Sequence, residues 1–414
     1  MFVSLFLLTP YLQAQDFWEQ LPFPDTLDIS CVAVNNGGHI FVGTGTTGPC
    51  VSDGVYRSTD SGHTWQHVLS TGTFSILTIG IDKTGHVYAS SQGANTFWKS
   101  TDNGQTWQPL PFNSMNHITK FCSFGNDSLL IGCSRTLGAM LLRTYDGGIT
   151  FDTLLQTNNH LSESVSDIAI ASNGDIYIAL SGWSPDSGGL VKSVDNGATW
   201  QYLGLQGYQV RNVEINAQGD VFIGARDMGT YSIYHDNPDE IKLLHEAVNE
   251  GLVLNSAGHI YAGTEWPNGI MCSTDNGFSF TYVNSGLPTG AMGNLTVDTN
   301  DFIYALTNVS GHLIYRTYNS TVTAIINHEI LDDQTIKIYP NPATDLLFCE
   351  IKNEYLTAAI HLQIFNLKNQ VVYESDINTK TDLIEISINS LSTGCYTILF
   401  NTKKKLLTKQ FVKL

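Results

Sequence analysis

Apolar and polar positions alternate along this chain in short bursts. Short apolar runs, mostly two to five residues of Val, Ile, Leu, Phe, Tyr and Ala, are cut by turns rich in Gly, Asp, Asn and Ser, the pattern of β-strands rather than helices. One polar punctuation recurs. Ser58 to Trp65 reads S-T-D-S-G-H-T-W, Ser100 to Trp107 reads S-T-D-N-G-Q-T-W, and Ser193 to Trp200 reads S-V-D-N-G-A-T-W. Looser copies are Thr144 to Phe151 and Ser273 to Phe280. Each follows an apolar pair and precedes another apolar stretch, so each predicts a strand–turn–strand hairpin. In that hairpin Asp accepts backbone N–H groups, Gly supplies the positive φ, and the aromatic packs beneath the turn.

A second repeat lies upstream of each hairpin. It begins at Gly38, Gly85, Asp127, Gly174, Gly219, Gly258 and Asp301, and reads like Gly38-His39-Ile40-Phe41-Val42-Gly43. The spacings are 47, 42, 47, 45, 39 and 43 residues. These runs are apolar on both faces, which predicts strands sandwiched between neighbours, and they are taken as the inner strands. A period near 40–45 with about four strands per unit predicts an all-β fold, a seven-bladed β-propeller. Trp18 to Leu21 resembles the strands that follow Trp65, Trp107 and Trp200 but has no unit before it. The seventh unit, around Leu313 to Tyr318, lacks its own copy, so the N-terminal strand is expected to complete the last blade and close the ring. Unit five is expected to replace its hairpin turn with a longer, Asp-rich one over Tyr231 to Asp239.

The eight-residue pattern closely resembles the Asp-box, or BNR, repeat of sialidase-like propellers. The resemblance implies that Asp60, Trp65, Asp102, Trp107, Asp146, Phe151, Asp195, Trp200, Asp275 and Phe280 are fold elements away from any active site.

Beyond the propeller, assigned to residues 15–326, residues 327–334 read as a polar linker and the composition shifts. Residues 335–414 hold 9 Lys and no Arg against 7 acidic residues, a net +2, while the remainder carries −20 of the total −18. So acidic a propeller is not expected to bind nucleic acid. Strand-like runs at Leu346–Ile351, Ile360–Asn366, Val371–Glu374, Leu383–Ile388 and Cys395–Phe400 predict a small β-sandwich. The start Tyr339-Pro340-Asn341-Pro342-Ala343-Thr344-Asp345, the Gly394-Cys395-Tyr396 turn and the Lys-rich end resemble the C-terminal sorting domain of type IX secretion substrates. That resemblance implies a Gram-negative cell, handling by the type IX machinery, and a secreted or surface-held product. Residues 1–14 read as a secretory signal, and no other stretch is apolar enough for a transmembrane span.

Seven cysteines leave the pairing open: Cys122 with Cys133, Cys349 with Cys395 and Cys31 with Cys50 are candidate bridges, each weighed against buried free thiols. Cys272 looks unpaired. There is no C-x-x-C, and His63 and His67 lie on a turn and a strand, so neither a metal nor a cofactor is expected. The loops opposite the Asp-box face carry the ligand-binding candidates Arg135, Trp183, Asp186, Arg226, Asp227, Glu265 and Trp266. Trp and charged groups at a channel mouth suit stacking and hydrogen bonding to a glycan or protein. Arg57, Arg143 and Arg316 occupy one repeat position, which leaves Arg135, Arg211 and Arg226 for any cluster. The sequence therefore favours a non-catalytic glycan- or protein-binding module. The alternatives are a sialidase-like glycoside hydrolase, for which the R-I-P-type motif is lacking, and an assembly or adhesion scaffold like the seven-bladed Asp-box assembly factors of photosynthetic membranes.

Overall fold

The computed structural model describes residues 16–322 and 336–414, less 25–27, 46–53, 73, 93–95, 113–116, 136–137, 158–162, 227, 248, 266–268, 289–291, 308–312, 352–359, 366–370, 378–382 and 402–405. The proposed signal (1–14), the linker (327–334), Cys50, Asp227 and Trp266 therefore fall outside the described residues. The chain divides into two units, 1–322 and 323–414. No described residue is helical.

The first unit is a seven-bladed propeller of four-stranded antiparallel sheets. Blades 1 to 6 occupy 29–70, 76–111, 117–156, 164–204, 210–245 and 249–282; blade 7 takes 292–317. Blades 3 and 4 also share one bridge, Ser134 to Ser164. The Gly-flanked repeat forms the second strand of each blade rather than the innermost. Ile40, Phe41 and Val42 are fully buried, as are Val87, Tyr88 and Ala89, because a neighbouring blade covers each face. The innermost strands are the segments just before them: Ile29–Val34, Ile76–Ile81, His117–Gly125, Ser164–Ile170, Val210–Ile215, Asn249–Leu254 and Met292–Val297.

The core lies between blades. Tyr88, Phe97 and Phe112 of blade 2 pack with Leu129, Ile131 and Met140 of blade 3. The ring closes as the orphan strand predicts. Trp18–Gln20 pairs with the third strand of blade 7, Trp18 opposite Thr317 and Gln20 opposite Tyr315. The Trp18 indole is 1% exposed; its Nε1–H donates to the Val283 carbonyl at 2.6 Å and its backbone N–H to Ser285 at 3.0 Å. One strand thus ties blade 7 to the end of blade 6.

The second unit is a β-sandwich of a three-stranded and a four-stranded sheet. Leu347, Cys349, Ile384 and Ile386 from one sheet face Leu362, Ile364, Ile398 and Phe400 from the other. Alternate residues point inward, as in Leu383–Ser387, whose burial alternates along its length.

Several expectations are corrected here. Cys122 lies opposite Leu130 and Cys133 opposite Ile118, so the hairpin register holds these two thiols apart, and both are free. Cys31, Cys272 and Cys349 are free as well; Cys50 and the Cys395 side chain, the candidate partners of Cys31 and Cys349, lie outside what the structure describes. In blade 5 the turn is shorter, not longer: Tyr234 pairs with Asn237 across His235-Asp236. Asp220 caps it by accepting the His235 backbone N–H at 2.9 Å.

Candidate functional site

The Asp-box carboxylates are used up within their own turns. Asp60 Oδ1 accepts the Thr64 backbone N–H at 2.8 Å and the Ser58 hydroxyl at 2.8 Å. Its Oδ2 accepts the Thr64 hydroxyl at 2.6 Å. Asp102, Asp146, Asp195 and Asp275 repeat this scheme with Thr106, Thr150, Thr199 and Ser279. These hydrogen bonds, from the threonine hydroxyl first, hold Asp60, Asp102 and Asp195 down to about 2.

The aromatic does not pack beneath its own turn. It reaches the outer strand of the preceding blade: Trp200 Nε1–H donates to Leu154 at 3.0 Å and Trp65 Nε1–H to Pro22 at 2.7 Å. Trp107 packs on the same buried cluster as Val68 and Leu69, and Phe280 on the same one as Leu244, while Phe151 meets Phe112 edge-on with ring centroids 5.6 Å apart. From the other side, Arg57, Arg143 and Arg316 donate to the carbonyls of Asn103, Asn196 and Ser61 in the next blade's Asp-box, at 2.7, 3.1 and 3.2 Å. The five aromatics and three arginines are thus inter-blade fasteners, and the five aspartates shape the turns between them.

Asp82, His86 and Asp127 also converge. Their carboxylates already hold Lys99, whose Nζ lies 2.5 Å from Asp127 Oδ1, and the Tyr88 hydroxyl at 2.9 Å. Asn35 and Asn103 join blades 1 and 2 at the equivalent place, and Asn216 and Asn276 join blades 5 and 6 at 3.1 Å. The trio is one version of a repeated lock between blades, with an ammonium already seated in it.

The opposite end of the channel is different. Every innermost strand carries a β-bulge near its start, opposite the end of the second strand. A bulge turns an extra side chain toward the axis. The extra residues are Ser30, Leu77, Thr119, Ser166, Arg211, Glu250 and the Gly293-Asn294 pair. Three of them staple neighbours: Ser30 donates to Ile76 at 2.6 Å, Thr119 to Val165 at 2.6 Å, and Asn294 to Ser30 at 3.1 Å. Blades 5 and 6 depart from this neutral ring, placing Arg211 and Glu250 where the others have small, amide or apolar residues.

All seven innermost strands line a channel of about 590 Å³, within the range of ligand sites. Its wall is uneven. Blades 7, 1 and 2 contribute residues such as Val297, Val34 and Ile81, whereas blades 3 to 6 contribute Lys120, Asp167, Arg211, Glu214 and Glu250. Glu250 lies 3.9 Å from Arg211 and 3.4 Å from Arg226, and Arg226 reaches Glu265 at 3.8 Å. Burial raises the Glu250 pKa, and the neighbouring Glu265 carboxyl adds to the rise against the pull of both arginines. Deeper in, Lys120 Nζ lies 2.8 Å from Asp167 Oδ1. Burial alone would lower the Lys120 pKa, but Asp167 outweighs it and the ammonium is held above its ordinary value.

Of the sequence candidates, Arg226 and Glu265 come together in this cluster. Trp183, 72% exposed, lines the channel on the blade 4 side, with Asp186 exposed on the same loop. Arg135 ends the second strand of blade 3 opposite Gly138 and does not line the channel. Sequence reasoning missed Lys120, Asp167, Glu214 and Glu250, and left Arg211 without partners, because it assigned the channel wall to the wrong strand of each blade. The signal was present. Ser30, Leu77, Thr119, Ser166, Arg211, Glu250 and Gly293 each stand eight positions before the start of the second repeat, and only two are charged.

Comparison with known proteins bears on both units. The family described as Secretion system C-terminal sorting domain matches residues 337–414, and the BNR/Asp-box repeat matches residues 98–109. The chain is an Asp-box propeller with a type IX sorting tail. No curated protein matches its sequence. Among solved structures, this Asp-box propeller is similar to YCF48 bound to D1 peptide, at 14% identity and a TM-score of 0.58, covering 74% of this chain and 98% of that one. It is also similar to PorZ, a surface component of the type IX secretion system of Porphyromonas gingivalis, at 16% identity and a TM-score of 0.54, covering 94% of this chain. The chain spans 59% of PorZ. A third likeness is the extracellular domain of a hybrid two-component system, BT3049, from B. thetaiotaomicron, at 14% identity and a TM-score of 0.55, covering 97% of this chain and 58% of that one. At these identities the likeness concerns the fold. The sorting tail marks the propeller for export by the type IX route.

Proposed function

We propose that this propeller is a non-catalytic binding module, released from or displayed on the surface of a Gram-negative cell, that takes a polypeptide segment into the loop-face mouth of its channel. The observation that carries the reading is the charged side of the channel wall: Lys120, Asp167, Arg211 and Glu250, from blades 3 to 6, all line one channel. A wall that is charged on one side and apolar on the other suits an extended peptide with mixed side chains. A sugar platform would instead need several exposed aromatics, and among the described lining residues Trp183 is the exposed one. A YCF48 propeller is known with a bound D1 peptide, which supports a peptide as the class of ligand for this fold.

Glycoside hydrolysis is the less favoured reading. Its two carboxyls work as an unpaired acid and base about 5–10 Å apart, whereas Glu265 and Glu250 are neighbours in one charge cluster around Arg226. Each also lies within 4 Å of an arginine.

The test is retention of peptides and glycans from broad arrays by the full chain, with mass spectrometry of the bound fraction and of any released product. The expected result is a retained peptide of unchanged mass, lost in Arg226→Ala. Release of a cleaved sugar, or retention of glycans alone, would overturn the reading.

A further inference from the structure

The channel charges pair off, and one carboxyl is left over. Lys120 is matched by Asp167 at 2.8 Å. Asp167 is itself saturated, accepting the Ile168 N–H at 2.9 Å and the Val213 N–H of the next blade at 3.1 Å. Arg211 and Arg226 are matched by Glu250, and Arg226 also by Glu265. Glu214 lines the same channel, half-buried, and has no ion pair or hydrogen bond among the described residues.

It also breaks its repeat. Five positions before the start of the second repeat the other blades carry Ala33, Gly80, Cys122, Ala169, Val253 and Thr296. Across the channel, blades 1 and 2 present Val34 and Ile81, an apolar surface on which an aliphatic stem can lie. The surrounding propeller is strongly acidic, so its field draws cations toward this mouth.

We propose that Glu214 anchors a lysine ammonium of the bound polypeptide, whose methylene stem packs against Val34 and Ile81. This rests on the polypeptide reading above and names the side chain that the channel selects. The groups facing Glu214 are Lys120 and Cys122 of blade 3 and Asp167 of blade 4; blade 6 faces the channel beside it with Leu252 and Val253. Burial pushes the Cys122 thiol up to about 12, so it is neutral. Burial, with Asp167 adding, holds the Glu214 carboxyl above the ordinary carboxylate range, and Lys120 offsets this only in part. An incoming ammonium stabilises the carboxylate, lowers its pKa and releases a proton.

The experiment titrates the full chain with acetyl-Gly-Lys-Gly-amide and with its norleucine and glutamate counterparts. Calorimetry is run near neutral pH in two buffers of different ionisation enthalpy. The lysine peptide is expected to bind about tenfold more tightly than the norleucine one, with a binding enthalpy that changes with buffer. Glu214→Gln, of nearly equal size, is expected to remove both the preference and the buffer dependence while retaining the melting temperature. The wild-type buffer dependence is a separate check should that variant fold poorly. Equal binding of lysine and norleucine peptides, or a preference that survives Glu214→Gln, overturns the anchor. If all three peptides bind equally and all are lost in Arg226→Ala, the polypeptide reading stands and only the anchor falls. Failure of all three to bind overturns both.

Discussion

Trp18→Ala tests ring closure where it is most exposed to failure. The strand that Trp18 opens is three residues long, yet it alone gives the third strand of blade 7 its outer partner. Replacing an indole that is 1% exposed costs about 3–5 kcal/mol in lost burial and cavity formation. The Val283 carbonyl also loses its 2.6 Å donor, which adds about 1 kcal/mol if water does not replace it. At roughly 2 cal/mol/K of unfolding entropy per residue, a propeller of about 300 residues loses about 6 °C for every 4 kcal/mol. Differential scanning calorimetry of the full chain reads this directly in the propeller transition. Trp18→Phe refills most of the cavity without the hydrogen bond and is expected to fall between the two. Trp183→Ala, at a site 72% exposed, is the control and is expected to leave the transition in place. A Trp18→Ala melting temperature within a degree of wild type, or no lower than that of Trp183→Ala, would refute the closure argument.

The Asp-box turn yields two further expectations. A Cβ on Gly104, at φ +76°, would stand 2.5 Å from Phe41 of the preceding blade, so Gly104→Ala is expected to cost about 2–3 kcal/mol in urea denaturation. Gly85→Ala, at φ +90° with open space around it, pays only the backbone strain, about 1 kcal/mol; equal losses would contradict the close-packing argument. Asp60, Asp102 and Asp195 are held near 2 against an unfolded value of 3.8. Their contribution is therefore present above about pH 4 and is lost as pH falls through about 2. Urea midpoints are expected to drop across that window, less steeply in Asp102→Asn, and an unchanged slope in the variant would count against the assignment. Finally, a chain lacking residues 335–414 is expected to accumulate in the periplasm while the full chain leaves the cell; normal export of the truncation would remove the tail's sorting role.

The repeat was legible because its causes are local. A turn needs Asp, Gly and a hydroxyl at fixed offsets, and a strand covered on both faces needs an unbroken apolar run such as Ile40 to Val42. Both can be read within ten residues. Even ring closure was legible, since Trp18 has the flanks of an outer strand and no unit of its own. The direction of the Asp-box aromatics was not: Trp200 points to Leu154 of the preceding blade, a neighbour that exists only once the ring is built.

The channel was hidden for a different reason. Residue columns can be aligned by eye, and Arg211 and Glu250 stand out in theirs, but a strand's alternation assigns faces only while the register is unbroken. Each innermost strand carries a bulge near its start, which shifts the parity and turns Arg211 and Glu250 toward the axis. By itself the sequence determined the number of blades, the Asp-box turns, the closing strand and the sorting tail, because each depends on short-range spacing. Only the tertiary structure decided that Lys120, Asp167, Arg211, Glu214 and Glu250, spread over 130 residues of chain, share one channel wall. That depends on how seven separate sheets are rotated about a common axis, which no local spacing encodes.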